Sequence, residues 1–237
     1  QRLLGVDGSS LQFDIMVHLA TLVSVVVVYY RDVLEMLRKP FGRLPVLIVV
    51  ATVPAVIVGV ALNDFFDRMF ESGVSLGIEF LITGTVLLYA DTLKKGEKDL
   101  NKATVYDAAF VGVMQAIAIS PAISRSGLTI TGSVARGFDR TFAAKFSFLA
   151  SIPAILGAAL FSIIDFVKAG GAPGAFSLPQ MAAGFLAAGV SGYAAIRIMI
   201  RALQKGRLRI FSYYVYALGV LVLIDQAFFN RFFPPLF

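Results

Sequence analysis

The sequence predicts an all-α, polytopic membrane protein of about six transmembrane helices plus a re-entrant helical hairpin, built as an inverted-topology repeat. Three observations carry the first part of that prediction. Of 237 residues, 58% are hydrophobic and only 15% charged, with a mean hydropathy of +0.81; an ordinary soluble domain is nearer half apolar and a quarter charged. Apolar runs recur along the whole chain, most of them about 17–23 residues long, the length that crosses a bilayer at ~1.5 Å per residue. The excess cations, a net charge of +6, gather in particular loops, as in a chain oriented by the positive-inside rule.

In order, the polar and Gly/Ser-rich start Gln1–Leu11 lacks the basic and apolar regions of a signal peptide. Apolar segments follow at Phe13–Tyr30, Leu44–Leu62, Val74–Ala90 and Val105–Ile119, then at Phe142–Ile164, Met181–Leu203 and Phe211–Phe229. Pro40 and Gly42, Asn63 and Asp64, Gly96, the Gly170–Gly174 run and Gly206 punctuate them. Arg31, Arg38, Lys39 and Arg43 fill the first loop, Lys94, Lys95, Lys98 and Lys102 the third, and Arg201, Lys205, Arg207 and Arg209 the last. These three loops are expected on the cytoplasmic side, and the cation-poor loops around Asp64–Glu71 and Asp165–Pro179 outside. No basic soluble face exists for a nucleic acid, so none is expected as partner. The absence of Cys excludes disulfides and thiolate metal sites, and a lone histidine, His18, argues against a His-rich one.

Parity then fixes the middle of the chain. The Lys94–Lys102 loop and the start of the Phe142–Ile164 helix both belong inside, so the chain from Val105 to Asp139 leaves the cytoplasm and returns to it. Its return arm is about twelve residues, too short to span. A re-entrant hairpin over 105–139 is expected, with its break at Pro121–Ser126 in a buried or wet cavity. The flanking helices run in opposite senses, which predicts one integral membrane domain over 1–237 with a first repeat at 12–91 and a second at 104–230. No residue-level repeat supports this: PAVIVG at Pro54 and PAILGA at Pro153 fall in non-equivalent helices.

The hairpin break carries the chemistry. Ser124-Arg125-Ser126-Gly127 opens a short helix, whose terminal N–H groups and dipole suit a phosphate. Arg125 adds a fixed charge with a bidentate fork. Ser124, Ser126 and, one turn on, Thr129 add hydroxyls. A blander reading has the hydroxyls capping the helix and Arg125 paired with a carboxylate. A transporter would bind an anion with the same parts, so binding and chemistry stay open at this point.

PAISRSGLT, Pro121–Thr129, resembles the PGxSRSxxT signature of the bacitracin-resistance-type undecaprenyl-diphosphate phosphatases. Phe13–Asp32, Ala51–Leu62, Lys145–Ala158 and Phe185–Leu203 also look like that family, in the expected order. The resemblance implies an integral membrane hydrolase that converts a polyprenyl diphosphate to the monophosphate and recycles the lipid carrier of peptidoglycan and cell-wall synthesis. It implies the inner (plasma) membrane and a divalent cation, Mg2+ or Ca2+. It makes Arg125, Ser124 and Ser126 candidate catalytic residues, and Thr129, Gln115, Ser120 and Gly127 candidate substrate-binding residues. Two departures stand out. The glycine after the signature proline is Ala122, which tolerates positive φ poorly. The family's Glu-rich stretch with its Ser-Ser-Thr-Gly-His run is not in this sequence and is expected just upstream of Gln1; no metal ligand is identified in the chain itself. The alternatives are a transporter or flippase of a phosphorylated polyprenyl lipid and a non-catalytic half-site homologue.

Among the remaining polar residues, Glu79 in the apolar run SLGIEFLITG is expected to pair with a cation or sit at the external interface, with a role in the site as the alternative. Asp91 and Asp107 are expected at the interface beside the lysine-rich loop, and His18 in the core. The Gly/Ala-rich Met181–Ala195 stretch suggests close helix packing or a homodimer contact.

Overall fold

The computed structural model describes residues 11–168 and 177–235, and every described element is helical. The helices are α1 (Leu11–Val28), α2 (Tyr30–Arg38), α3 (Arg43–Ala61), α4 (Asn63–Ser72) and α5 (Leu76–Thr92), then α6 (Val105–Ile117), α7 (Arg125–Ala135), α8 (Arg140–Lys168), α9 (Leu178–Gln204) and α10 (Arg209–Ile224), which runs into a π-helical turn at Asp225–Phe229. Four of them, α3, α8, α9 and α10 with its π turn, are long and apolar enough to cross a membrane. Two bent pairs, α1 with α2 at 87° and α4 with α5 at 105°, raise the number to six if each is one span. The chain is an all-α polytopic membrane protein.

All seven apolar segments appear as helices. The sequence reading missed α2 and α4, which it took as charged loops. Both are short and amphipathic: α2 has Tyr30, Val33, Leu34 and Leu37 on a helical stripe, and α4 has Phe65, Phe66, Met69 and Phe70. The Gly170–Gly174 run lies outside the described residues.

The chain divides into two compact units, which combine segments from both expected repeats. One takes Gln1–Pro40 and Phe148–Arg201. Here α1 meets α9 at small residues: the Ser24 hydroxyl donates to the Gly189 carbonyl at 2.7 Å, and a Cβ on Gly192 would lie 3.0 Å from Ser24 Oγ. The Gly/Ala-rich stretch therefore serves close packing within the chain, as small residues do where helix backbones approach. His18, expected in the core, is exposed on α1.

The other unit takes Phe41–Ser147 and Ala202–Phe237 and holds the signature. In it α5 lies along α10, with Ser212 Oγ donating to the Gly84 carbonyl at 2.6 Å. Asp91, expected only at an interface, accepts the N–H groups of Leu208 and Arg209 at 2.9 and 2.8 Å, satisfying orphan donors where α10 begins. Helix α6 lies along α3 at Gly112: a Cβ there would sit 2.7 Å from the Ala51 carbonyl oxygen and 2.9 Å from the Pro54 ring. That approach is backbone against backbone, so no side chain can yield.

Gly112→Ala is expected to destabilise the protein by about 1–3 kcal/mol through overpacking. Gly157→Ala, on α8 where an added Cβ meets nothing within 4 Å, should be neutral or mildly stabilising. Thermal unfolding of the two variants in detergent measures the contrast.

Candidate functional site

The signature sits at the bend of a helical hairpin. Its outgoing arm α6 has 13 residues and its return arm α7 has 11. At 1.5 Å per residue these reach about 20 and 16 Å, each short of a ~30 Å hydrocarbon core. The arms lie antiparallel: Gly132 near the end of α7 packs on Met114, and Arg136, just past it, reaches Asp107 at the start of α6.

The root is closed by one carboxylate. Asp107 is fully buried and accepts from Arg136 Nε at 2.8 Å, Lys98 Nζ at 3.0 Å and both the N–H (3.0 Å) and hydroxyl (2.9 Å) of Thr104. Thr104 Oγ1 in turn accepts the Asp107 N–H at 3.2 Å, completing a capping box at the N-terminus of α6. Gly137, at φ +85°, turns the chain out of α7, a conformation with little penalty only for glycine. Its carbonyl accepts the Lys98 N–H at 2.9 Å, and the Asp139 N–H returns to the Lys98 carbonyl at 2.9 Å. Asp107 thus lies beside the lysine-rich loop, as expected, and there it is a buried knot tied to Lys98 and Arg136.

At the other end the bend Pro121–Ser124 leans on α5. The Ala122 N–H donates to Glu79 Oε2 at 2.6 Å. The Thr83 hydroxyl donates to the Ala122 carbonyl at 3.0 Å and accepts the Ser124 N–H at 3.1 Å. Both α5 side chains are buried, Glu79 at 4% exposure, and Glu79 Oε1 has no hydrogen-bond partner. In place of the expected cation, Glu79 meets a backbone N–H among the described residues. Ala122 does not adopt positive φ, so the turn forms without the family's glycine.

Ser124 is the N-cap of α7, its Oγ accepting the Gly127 N–H at 3.1 Å. Leu128 N–H bonds the Ser124 carbonyl at 2.9 Å. Of the orphan N–H groups at this helix start, those of Arg125 and Ser126 have no partner among the described residues. The Arg125 guanidinium belongs to the same turn. Its Nη1 is buried without a hydrogen bond, and among the described residues no carboxylate pairs with it. Of the blander reading, the capping role of Ser124 is present, and a salt bridge to Arg125 is absent among the described residues.

The other candidates are distributed around this centre. The Ser126 hydroxyl has no hydrogen-bond partner among the described residues. Thr129 is 1% exposed and faces α8, its hydroxyl at 2.6 Å from Ser147 Oγ and donating to the Arg125 carbonyl at 2.8 Å. Gly127 is buried beneath its cap; a Cβ would lie 3.0 Å from Ser124 Oγ. Gln115 on α6 is 3% exposed, with neither amide atom hydrogen-bonded. Ser120 leads into the bend and borders an apolar cavity of about 350 Å3 lined by Pro54, Val58, Phe66, Val113 and Ile117. Sequence reasoning missed Thr83 and Ser147. The first could have been found from its spacing of four from Glu79, which puts both on one face of α5; nothing marked Ser147.

Residues 1–221 match the family described as bacitracin resistance protein BacA. The chain belongs to that family. Its curated relatives include the undecaprenyl-diphosphatase of Carboxydothermus hydrogenoformans, 50% identical over 227 residues that cover 96% of this chain and 87% of the relative. Undecaprenyl-diphosphatase 4 of Bacillus cereus is 40% identical over 226 residues, 95% and 86% of the two chains. The undecaprenyl-diphosphatase of Alkaliphilus metalliredigens is 39% identical over 243 residues, 94% and 88%. The family assignment thus covers the whole hairpin and both of its anchors.

Asp107→Asn removes the charge from the root while keeping its size. It is expected to cost about 2–3 kcal/mol, less than for a fully buried pair because Lys98 and Arg136 keep access to solvent. Thermal unfolding in detergent measures it; an unchanged midpoint would mean the root is held by the backbone bonds of Lys98 to Gly137 and Asp139 alone.

Proposed function

We propose that the chain hydrolyses undecaprenyl diphosphate to undecaprenyl phosphate and inorganic phosphate, with the turn Ser124–Gly127 as the diphosphate site. One observation carries the reading: a permanently charged guanidinium has a buried, unpartnered N–H beside two unpaired backbone N–H groups of a helix start. Such a buried group is stabilised by an anion, and three donors on one turn suit the oxygens of a phosphate. The names of the relatives supply the reaction, and the terminal phosphoryl group supplies the charge that these donors meet. As water attacks the terminal phosphorus, the bridging P–O bond breaks and negative charge shifts onto the oxygens of both phosphates. Donors fixed in place before the reaction stabilise that charge without reorganising.

In this arrangement Arg125 clamps the phosphoryl oxygens, the Ser126 hydroxyl is free to donate to them, and Ser124 and Gly127 build the turn. Thr129 supports Arg125 from behind through its carbonyl. Gln115 presents an unsatisfied amide, and Ser120 stands where the head group gives way to apolar surface. The cavity bordering Ser120 suits the first isoprene units of the lipid tail, its volume at the low end for ligand pockets. No catalytic step is assigned to a divalent cation. Among the described residues no three His, Asp or Glu side chains gather to hold one, and Glu79 offers a single free carboxylate oxygen.

The expected setting is the plasma membrane, with the lysine-rich root of the hairpin on the cytoplasmic side. A homodimer, suggested by the small residues of α9, has no observation in its favour beyond composition, since Gly189 and Gly192 pack on α1 within the chain.

Arg125→Ala in the full-length protein is expected to lower phosphate release from undecaprenyl diphosphate by about 100- to 1000-fold. Arg125→Lys should recover little, because an ammonium lacks the fork geometry. Release at the wild-type rate by Arg125→Ala, or movement of the lipid between leaflets without release, would sink the hydrolase reading.

A further inference from the structure

We infer that Glu79, with Thr83 beside it, is a positioning residue for the anion site: together they hold the backbone of the hairpin bend in the shape that presents the Arg125 and Ser126 N–H groups. The inference rests on the reading of that turn as the diphosphate site.

The geometry is a ladder up one face of α5. Glu79 Oε2 accepts the Ala122 N–H at 2.6 Å. One turn along, the Thr83 hydroxyl bridges the Ala122 carbonyl (3.0 Å) and the Ser124 N–H (3.1 Å). One turn further, Leu87 lies against Gly127, its Cδ2 3.3 Å from where a Cβ would stand. Positions 79, 83 and 87 are spaced by four, so a single rigid helix face grips the bend from Ala122 to Gly127. Between those two residues lie the donors of the proposed site.

Two features separate this from ordinary packing. The first is its cost. A carboxylate 4% exposed, with Oε1 lacking any partner, is an expensive way to satisfy one N–H that a hydroxyl or amide would also satisfy. What Glu79 supplies is a short hydrogen bond from a rigid helix face that fixes the Ala122 amide in the bend. The second is the bend itself. Ala122 takes an ordinary φ and leaves both its polar groups to α5, so the shape of the bend is set from outside and not by a glycine. A displacement of reacting groups by about 1 Å can cost on the order of 100-fold in rate, and the anchor of Ser124 is one residue from Arg125.

The test compares Glu79→Ala, Glu79→Gln and Thr83→Val in the full-length, detergent-solubilised protein, with undecaprenyl diphosphate as substrate and Arg125→Ala alongside. Glu79→Ala is expected to lower kcat by about 10- to 100-fold with KM moved much less, and the near-isosteric Thr83→Val to lower it by about 10-fold. Glu79→Gln keeps an acceptor for the Ala122 N–H and should return kcat to within about threefold of wild type. Because Gln also refills the space, Glu79→Met, of similar size but with no acceptor for the Ala122 N–H, is the packing control: it is expected to stay as impaired as Glu79→Ala, whereas loss of packing alone would be rescued by it, and thermal midpoints are recorded for each variant. If Glu79→Ala does not fold, Thr83→Val carries the test. Wild-type kcat in Glu79→Ala or Thr83→Val overturns the inference, as does Glu79→Gln as impaired as Glu79→Ala, which would place the role in the charge. These outcomes leave the hydrolase reading intact while Arg125→Ala is inactive; an active Arg125→Ala removes that reading first.

Discussion

The buried carboxylate of Asp107 is the constraint on which the site region depends. A chain that turns back on itself within apolar surroundings must hold its two ends together, and here one side chain ties four donors from three places: Thr104 before α6, Lys98 in the preceding loop and Arg136 after α7. Charge-assisted bonds to a fully buried acceptor are strong and directional, and removing the acceptor leaves cations facing each other. Because the ends are closed there, the lengths of the arms decide where the bend lies. The signature's place in the fold is thus a consequence of a capping box about eighteen residues earlier in the chain.

Around the bend, polar groups divide into those that are satisfied and those that are not. Ala122, Ser124 and Gly127 spend their N–H groups within the protein, on Glu79, Thr83 and Ser124 Oγ. Arg125 and Gln115 do not. In apolar surroundings each unsatisfied donor costs free energy, so the contrast within a few residues is chemically meaningful. The backbone of the bend is held by hydrogen bonds from α5 and from its own cap, and the unsatisfied groups lie on the arm and the turn that carry the signature.

Much of this was legible in the sequence, because the strongest signals in it are local or periodic. Seven apolar runs gave seven helices, and the basic loops with a short return arm pointed to a hairpin before any coordinates. Pro121 and Ser124 marked the break and the cap. What could not be read was of two kinds. Helices α2 and α4 carry enough charge to resemble loops when hydropathy is averaged, although their apolar residues keep helical spacing. Glu79, Thr83 and Ser147 act through contacts with residues 18 to 43 positions away. No periodicity in α5 or α8 says which backbone they face. Asp107 shows the same limit: its capping box was readable from Thr104, but its burial depends on Arg136 arriving from the far end of α7.

The ordinary φ of Ala122 bears on how such a site is inherited. A turn that relies on glycine keeps its shape within its own letters, and the shape is lost when that letter changes. Here the shape is recorded at positions 79 and 83, some forty residues upstream of the bend. Descent can therefore exchange a glycine in the signature for an ordinary residue wherever the distant helix face holds the amide. The form of the turn is then carried as a long-distance partnership between two helices, to be sought in substitutions that travel together.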